Sequence, residues 1–255
     1  MQASMIKKLK NYISINDLFA LTMAIMLVGH MAMFFIPDNL WLRIPDRIFI
    51  PVLLISIGYN LGHKIGWPIY IGAAMIMVGD FFVPYGSTIN ILAVFIVIKL
   101  ILDPLTRFLA RDKILFWSVN AVMALISPFT NYFFEYGTIA IIMAMAGWIN
   151  RNRDELKYIT TPFEYYIFSY FSFLWFTWAV SGFLQAQIYC IAVGLAFIMW
   201  LLYDYKTLIM NAIKRKPKDL IEKICAFMAH KSLEIYVFHV LLYMLIVYYV
   251  THNLS

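Results

Sequence analysis

The sequence predicts an all-α fold, a polytopic transmembrane helical bundle of about nine spans, and three observations carry that prediction. First, 63% of the 255 residues are hydrophobic and only 13% are charged, with a mean hydropathy of +0.78. A soluble domain carries roughly 25% charged residues, so this chain cannot coat a water-facing surface of normal size. Second, the apolar residues fall in runs close to the ~20 residues that one membrane span needs. The alternating ten-residue pattern of a membrane β-barrel is absent. Third, the basic residues alternate between loops, as the positive-inside rule requires.

The runs place spans at 17–36, 46–63, 67–83, 88–104, 113–130, 136–150, 161–180, 184–204 and 230–250. Residues 1–16, polar and basic, read as a cytoplasmic N-terminal tail, and 17–255 as a single transmembrane domain. Pro37-Asp38, Gly66-Trp67-Pro68, Pro84-Tyr85-Gly86, Pro128 with Asn131, Thr161-Pro162 and Lys216-Pro217 punctuate the runs. The third and sixth spans are short, which leaves an eight-span count open. With nine spans, sixteen Lys and Arg fall in the tail and in the loops after spans 2, 4, 6 and 8, the last running from Lys206 to Lys223. The opposite loops hold only Arg43 and Arg47. This bias sets the N-terminus inside and the C-terminus outside. The net charge of +6 is thereby used up in membrane orientation and gives no reason to expect a nucleic-acid partner. Cys190 and Cys225 are too few for a disulfide framework or a zinc site, and no metal is expected. Phosphate-loop, dinucleotide, zinc-protease and nucleophile-elbow motifs are absent.

On this topology the polar residues that loops do not need gather in the outer half of the bilayer. They are His30 in span 1, Arg43, Asp46 and Arg47 at the mouth of span 2, Asp80, Asn90, Asn131, Glu135 and Tyr136, with His239 near mid-depth in the last span. Ionisable groups inside a membrane usually face a cavity or a partner. Each also has a plainer reading. Met23, Met26 and Met33 share the face of His30, either as pliable packing or as a cavity wall. Ser232, Tyr236 and His239 line one face of the last span, where a hydroxyl a turn away can fix the imidazole's tautomer or simply tie two helices together. Arg47 is either a headgroup anchor or a fork of donors for an oxyanion. Asp80 and Glu135 either face water at loop ends or line the site.

The stretches "LTMAIMLVGHMAMFF", "WLRIPDRIFIPVLLISIGYNLGHKIG", "STINILAVF", "EYGTIAIIM" and "SLEIYVFHVLLY" resemble, in that order, the TraX family of polytopic bacterial acetylases that modify the N-terminus of conjugative pilin. The likeness covers spans 1 to 4, span 6 and the last span, and is weak through 155–225. It departs at Gly29, where the family commonly has an acid before the first histidine, and at Phe19, where it has a basic residue. The resemblance implies a place among integral-membrane acyltransferases of the bacterial inner membrane, with acetyl-coenzyme A as cytoplasmic co-substrate. The acceptor would be a protein or glycan amine or hydroxyl at the outer face. It further implies His30 as general base, Arg47 on the oxyanion or acceptor, and His239 with Tyr236 placing the donor thioester or acting as a second proton carrier. Asn90, Asp80, Glu135 and Tyr136 would line the acceptor side, and Asn60, His63 and Lys64 the coenzyme A entrance. With an acid missing at Gly29, the chain either uses Asp46 or Asp80 in its place or does something different. Two other classes stay open, a small-solute transporter or proton-coupled channel using the histidines as a relay, and a non-catalytic membrane scaffold.

Overall fold

A computed structural model describes residues 13–61, 66–80, 89–214 and 219–253. His63 and Lys64 lie outside the described residues. Among the described residues every regular element is a helix. In order come α1 (Ile15–Phe35), a 3-10 turn (Leu40–Arg43), α2 (Ile44–Tyr59), α3 (Trp67–Asp80), α4 (Ile91–Leu109), α5 (Lys113–Thr130), α6 (Ile139–Arg151), α7 (Pro162–Ser181), α8 (Gln185–Tyr203), α9 (Tyr205–Lys214), α10 (Leu220–His230) and α11 (Ser232–Asn253).

The helix starts are written locally. Ser14 and Asp17 form a capping box at α1, each side chain accepting from the other's backbone N–H. Thr161 and Glu164 repeat it at α7, with Pro162 as first helical residue. Asn90 and Asp112 cap α4 and α5. α7 stops at Gly182, whose φ of 62° suits glycine.

Four helices among the described residues are long and apolar enough to cross a membrane: Ile15–Phe35, Lys113–Thr130, Gln185–Tyr203 and Ser232–His252. Large apolar side chains cover their outer faces, among them Leu125 at 68% exposure and Phe238 at 69%, as a lipid-facing surface requires. The short sixth run has a structural reason. Nearly every residue of α6 is buried, Ile142 through Ala146 at 0% exposure. It is the central post of the bundle, so neighbouring helices rather than its own length shield its ends. Against it lies α2, the backbones touching at Gly58 and Gly147, where a Cβ would overlap the carbonyls of Ala144 and Ile55.

Buried amides brace the rest. Asn120 accepts from the Tyr165 hydroxyl across α5 and α7. Asn150 donates to Tyr166 and to the carbonyls of Leu202 and Tyr203. The basic segment after span 8, read from sequence as a loop, instead forms α9 and α10. Both are too short and too charged to span, but their apolar residues recur at helical spacing. Asn211 of α9 donates to the Ile13 carbonyl at 2.8 Å, tying that segment to the start of α1.

Candidate functional site

Five helices, the 3-10 turn and one loop converge on a cavity of about 260 Å³. α1 contributes His30 and Met33, α2 brings Asp46 and Arg47, and the preceding 3-10 turn brings Arg43. α3 ends there with Asp80, α4 begins there with Asn90, and the α5–α6 loop supplies Asn131, Glu135 and Tyr136. Tyr236 of α11 closes the far wall. The polar residues that the sequence gathers in one layer, His239 apart, therefore line one cavity together with Tyr236.

His239 stands behind His30. Its Nε2 lies 2.8 Å from His30 Nδ1, and its own Nδ1 lies 2.7 Å from the carbonyl of Ile235. A carbonyl oxygen can only accept, so His239 Nδ1 carries the proton. In the neutral pair Nε2 of His239 must then accept from His30 Nδ1–H. The consequence falls on the remaining atom: His30 Nε2 is left with its lone pair. The tautomer of His239 is thus fixed by a backbone carbonyl one helical turn away rather than by a hydroxyl. Tyr236 instead packs edge-on to both rings, its centroid 5.6 Å from His30 and 5.5 Å from His239.

Asp46 occupies the space that Gly29 leaves open. A Cβ at Gly29 would lie 2.8 Å from the Asp46 Cβ and 3.2 Å from its Cγ, so the carboxylate stands directly over the residue preceding His30. Its Oδ1 and the Nε of Arg47 are buried without a hydrogen-bond partner among the described residues. Buried polar atoms are nearly always paired, so such exceptions need a reason. The Arg47 guanidinium sits over the Tyr136 ring, 5.3 Å from its centroid, an attractive placement. Tyr136 itself has a φ of 65°, uncommon for a bulky residue, and is held by its N–H donating to Asn131 Oδ1 at 3.1 Å.

Asn90 is more engaged than a free ligand amide. Its Oδ1 caps α4 at Leu92 and Ala93, and its Nδ2 donates to the Ala73 carbonyl, so it joins α3 to α4. Asn60 lies away from this cavity, donating to the Tyr205 hydroxyl at 3.0 Å. Among the described residues no three His, Cys, Asp or Glu side chains converge as a metal site.

The Glu135 carboxylate accepts from Ile91 N–H at 2.7 Å. Burial pushes its pKa up to about 7; the Ile91 bond opposes that rise, as does Arg47, while Asp46 and Asp80 add to it. An acid with a raised folded-state pKa binds more protons folded than unfolded, so stability falls as pH rises between about 4.5 and about 7 and then levels off. Glu135→Gln should flatten that slope in thermal midpoints measured across the window. A slope that survives the substitution would assign it to another group.

Arg43 and Asp46, placed in the outer polar layer from the sequence, with Asp46 a candidate for the missing acid, also line the cavity. In "RIPDR" residues 43, 46 and 47 fall on one helical face. Comparison with protein-family models, curated proteins and solved structures gives no match to this chain.

Proposed function

We propose that this chain is a membrane acyltransferase with nine spans and a cytoplasmic N-terminus, set in a bacterial inner membrane. It moves an acetyl or other acyl group from acetyl-coenzyme A, entering from the cytoplasmic side, to an amine or hydroxyl presented at the outer face, a pilin N-terminus or a glycan among the candidates. One observation carries the reading: His30 is held in a single tautomer by His239, leaving Nε2 lone-paired, in a cavity that also holds the Arg47 guanidinium.

His30 Nε2 takes the proton of the acceptor N–H or O–H as that atom bonds to the thioester carbonyl carbon. The carbonyl oxygen becomes an oxyanion facing Arg47. The C–S bond then breaks, and the leaving thiolate recovers the proton from His30. Arg43 and Arg47 together favour the anionic intermediate, while Asp46, Asp80 and Glu135 suit an incoming amine.

The test is binding and slow hydrolysis of acetyl-coenzyme A by the purified protein in detergent. Absence of binding to a folded sample, together with solute or proton flux in vesicles, would replace the enzyme with the transporter reading. Arg47→Lys should cost about 10²–10³ in rate, the scale for one oxyanion donor, because a point charge cannot reproduce the fork. A Lys variant with full activity would reduce Arg47 to an anchor.

A further inference from the structure

A second chamber, of about 240 Å³, lies among the same helices. It draws on their opposite ends: Met23 and Met26 of α1 where His30 lines the first chamber, and Leu53 and Ile57 of α2 where Asp46 and Arg47 do. The two chambers are stacked end to end along the bundle, and Tyr236 lines both. Its ring, edge-on to His30 and His239, is the partition between them.

Their walls differ in kind. The first chamber is charged. The second is mainly hydrocarbon and thioether, with the buried Ser56 in its α2 wall and Asn60, Lys99 and Ser232 at the end remote from His30. From Ile91, beside the first chamber, to Lys99 is about 12 Å along α4 at 1.5 Å per residue. Walls of this kind reject a sugar or a folded peptide, whose polar groups would go unpaired, and accept a slender, mostly uncharged arm. A basic side chain at the far end, Lys99, suits an anionic group there.

We propose that this second chamber seats the donor: it holds the arm of an acyl thioester, with the anionic end at Lys99 and the thioester carbon delivered past Tyr236 to His30. Donor and acceptor then approach from opposite ends and meet at the partition without competing for one opening. The assignment rests on the acyl-transfer reading. A fatty acid offers the same chemistry of anionic head and slender tail, so the experiment must separate the two sources.

The measurement is the Kd of acetyl-coenzyme A, and separately of decanoate, for the full-length protein in detergent. Wild type is compared with Ile57→Phe, which fills the chamber from α2, and Leu233→Phe, which fills it from α11. Acetyl-coenzyme A should bind wild type and weaken about tenfold or more in both variants, with the unliganded melting temperature preserved. Binding equal in all three overturns the chamber assignment and leaves the acyltransferase reading intact. Decanoate binding without acetyl-coenzyme A binding overturns both and makes the chamber a lipid-chain site. If neither filled variant folds, Lys99→Gln decides, because unchanged affinity there also overturns the proposal.

Discussion

His30→Ala is expected to lower acyl transfer, and any slow thioester hydrolysis, by about 10²–10⁴, the usual worth of a positioned general base. The protein should remain inserted and monodisperse. His30 is 9% exposed, and its loss removes a hydrogen bond from the α1–α11 contact without leaving a charge unpaired. His239→Ala should be severe for a different reason. It leaves Nε2 in place but removes the acceptor that holds Nδ1–H, so the imidazole can take the other tautomer. The double variant should then be little worse than His30→Ala alone, since residues acting as one unit are not additive. Rates of acetyl-coenzyme A hydrolysis by the four proteins decide the matter. Independent, multiplying losses would mean that the two histidines do not form a relay, and an unchanged His30→Ala rate would remove the base.

Residue composition was enough to see a helical membrane protein, because a charge content of 13% leaves no other class. It was also enough to gather His30, Arg47, Asp80, Asn90, Glu135, Tyr136 and Tyr236, since an ionisable side chain in an apolar run needs a cavity or a partner. Pairing was harder to read. Nothing in the spacing of His30 and His239, 209 positions apart, shows that they touch, nor that Ile235's carbonyl fixes the tautomer. Gly29 illustrates the same limit from the other side. Read along the chain it is a missing acid; in space it is the gap into which Asp46 fits.

Helix count was harder still, for a physical reason. Hydropathy reports contact with lipid, and several helices here do not depend on lipid contact along their length. α6 is enclosed by protein, so its 13 residues need not match a bilayer. α4 carries Lys99, Asp103 and Arg107, and Asp103 is paired both to Arg107 and to the Trp148 indole N–H. Asp103 and Arg107 pair on an exposed surface towards the C-terminal end of α4, so three charges lower its score as a span although the rest of the helix is apolar. Conversely, α9 and α10 are amphipathic, and their lysines carry the same positive-inside signal that a loop would.

The packing of α2 on α6 sets the largest expected effect on stability. α2 carries Asp46 and Arg47, and its position is fixed where Gly58 meets Ala144 and Gly147 meets Ile55. At both positions the obstacle to a Cβ is a backbone carbonyl of the facing helix, which cannot swing aside as a side chain does. Even Gly147→Ala must therefore push the helices apart, at a cost expected to exceed about 3 kcal/mol, the upper end for ordinary overpacking. Against a total stability of about 5–15 kcal/mol, that is a large loss. Gly58→Ala should behave alike. Gly182→Ala supplies the contrast, since a Cβ there meets nothing within 4 Å and only its left-handed φ is penalised, by about 1–2 kcal/mol. Yield of monodisperse protein and thermal midpoints of the three variants would show it. If Gly147→Ala melted with wild type, α2 would have room to slide, and the fixed distance from Arg47 to His30 on which the oxyanion role depends would lose its support.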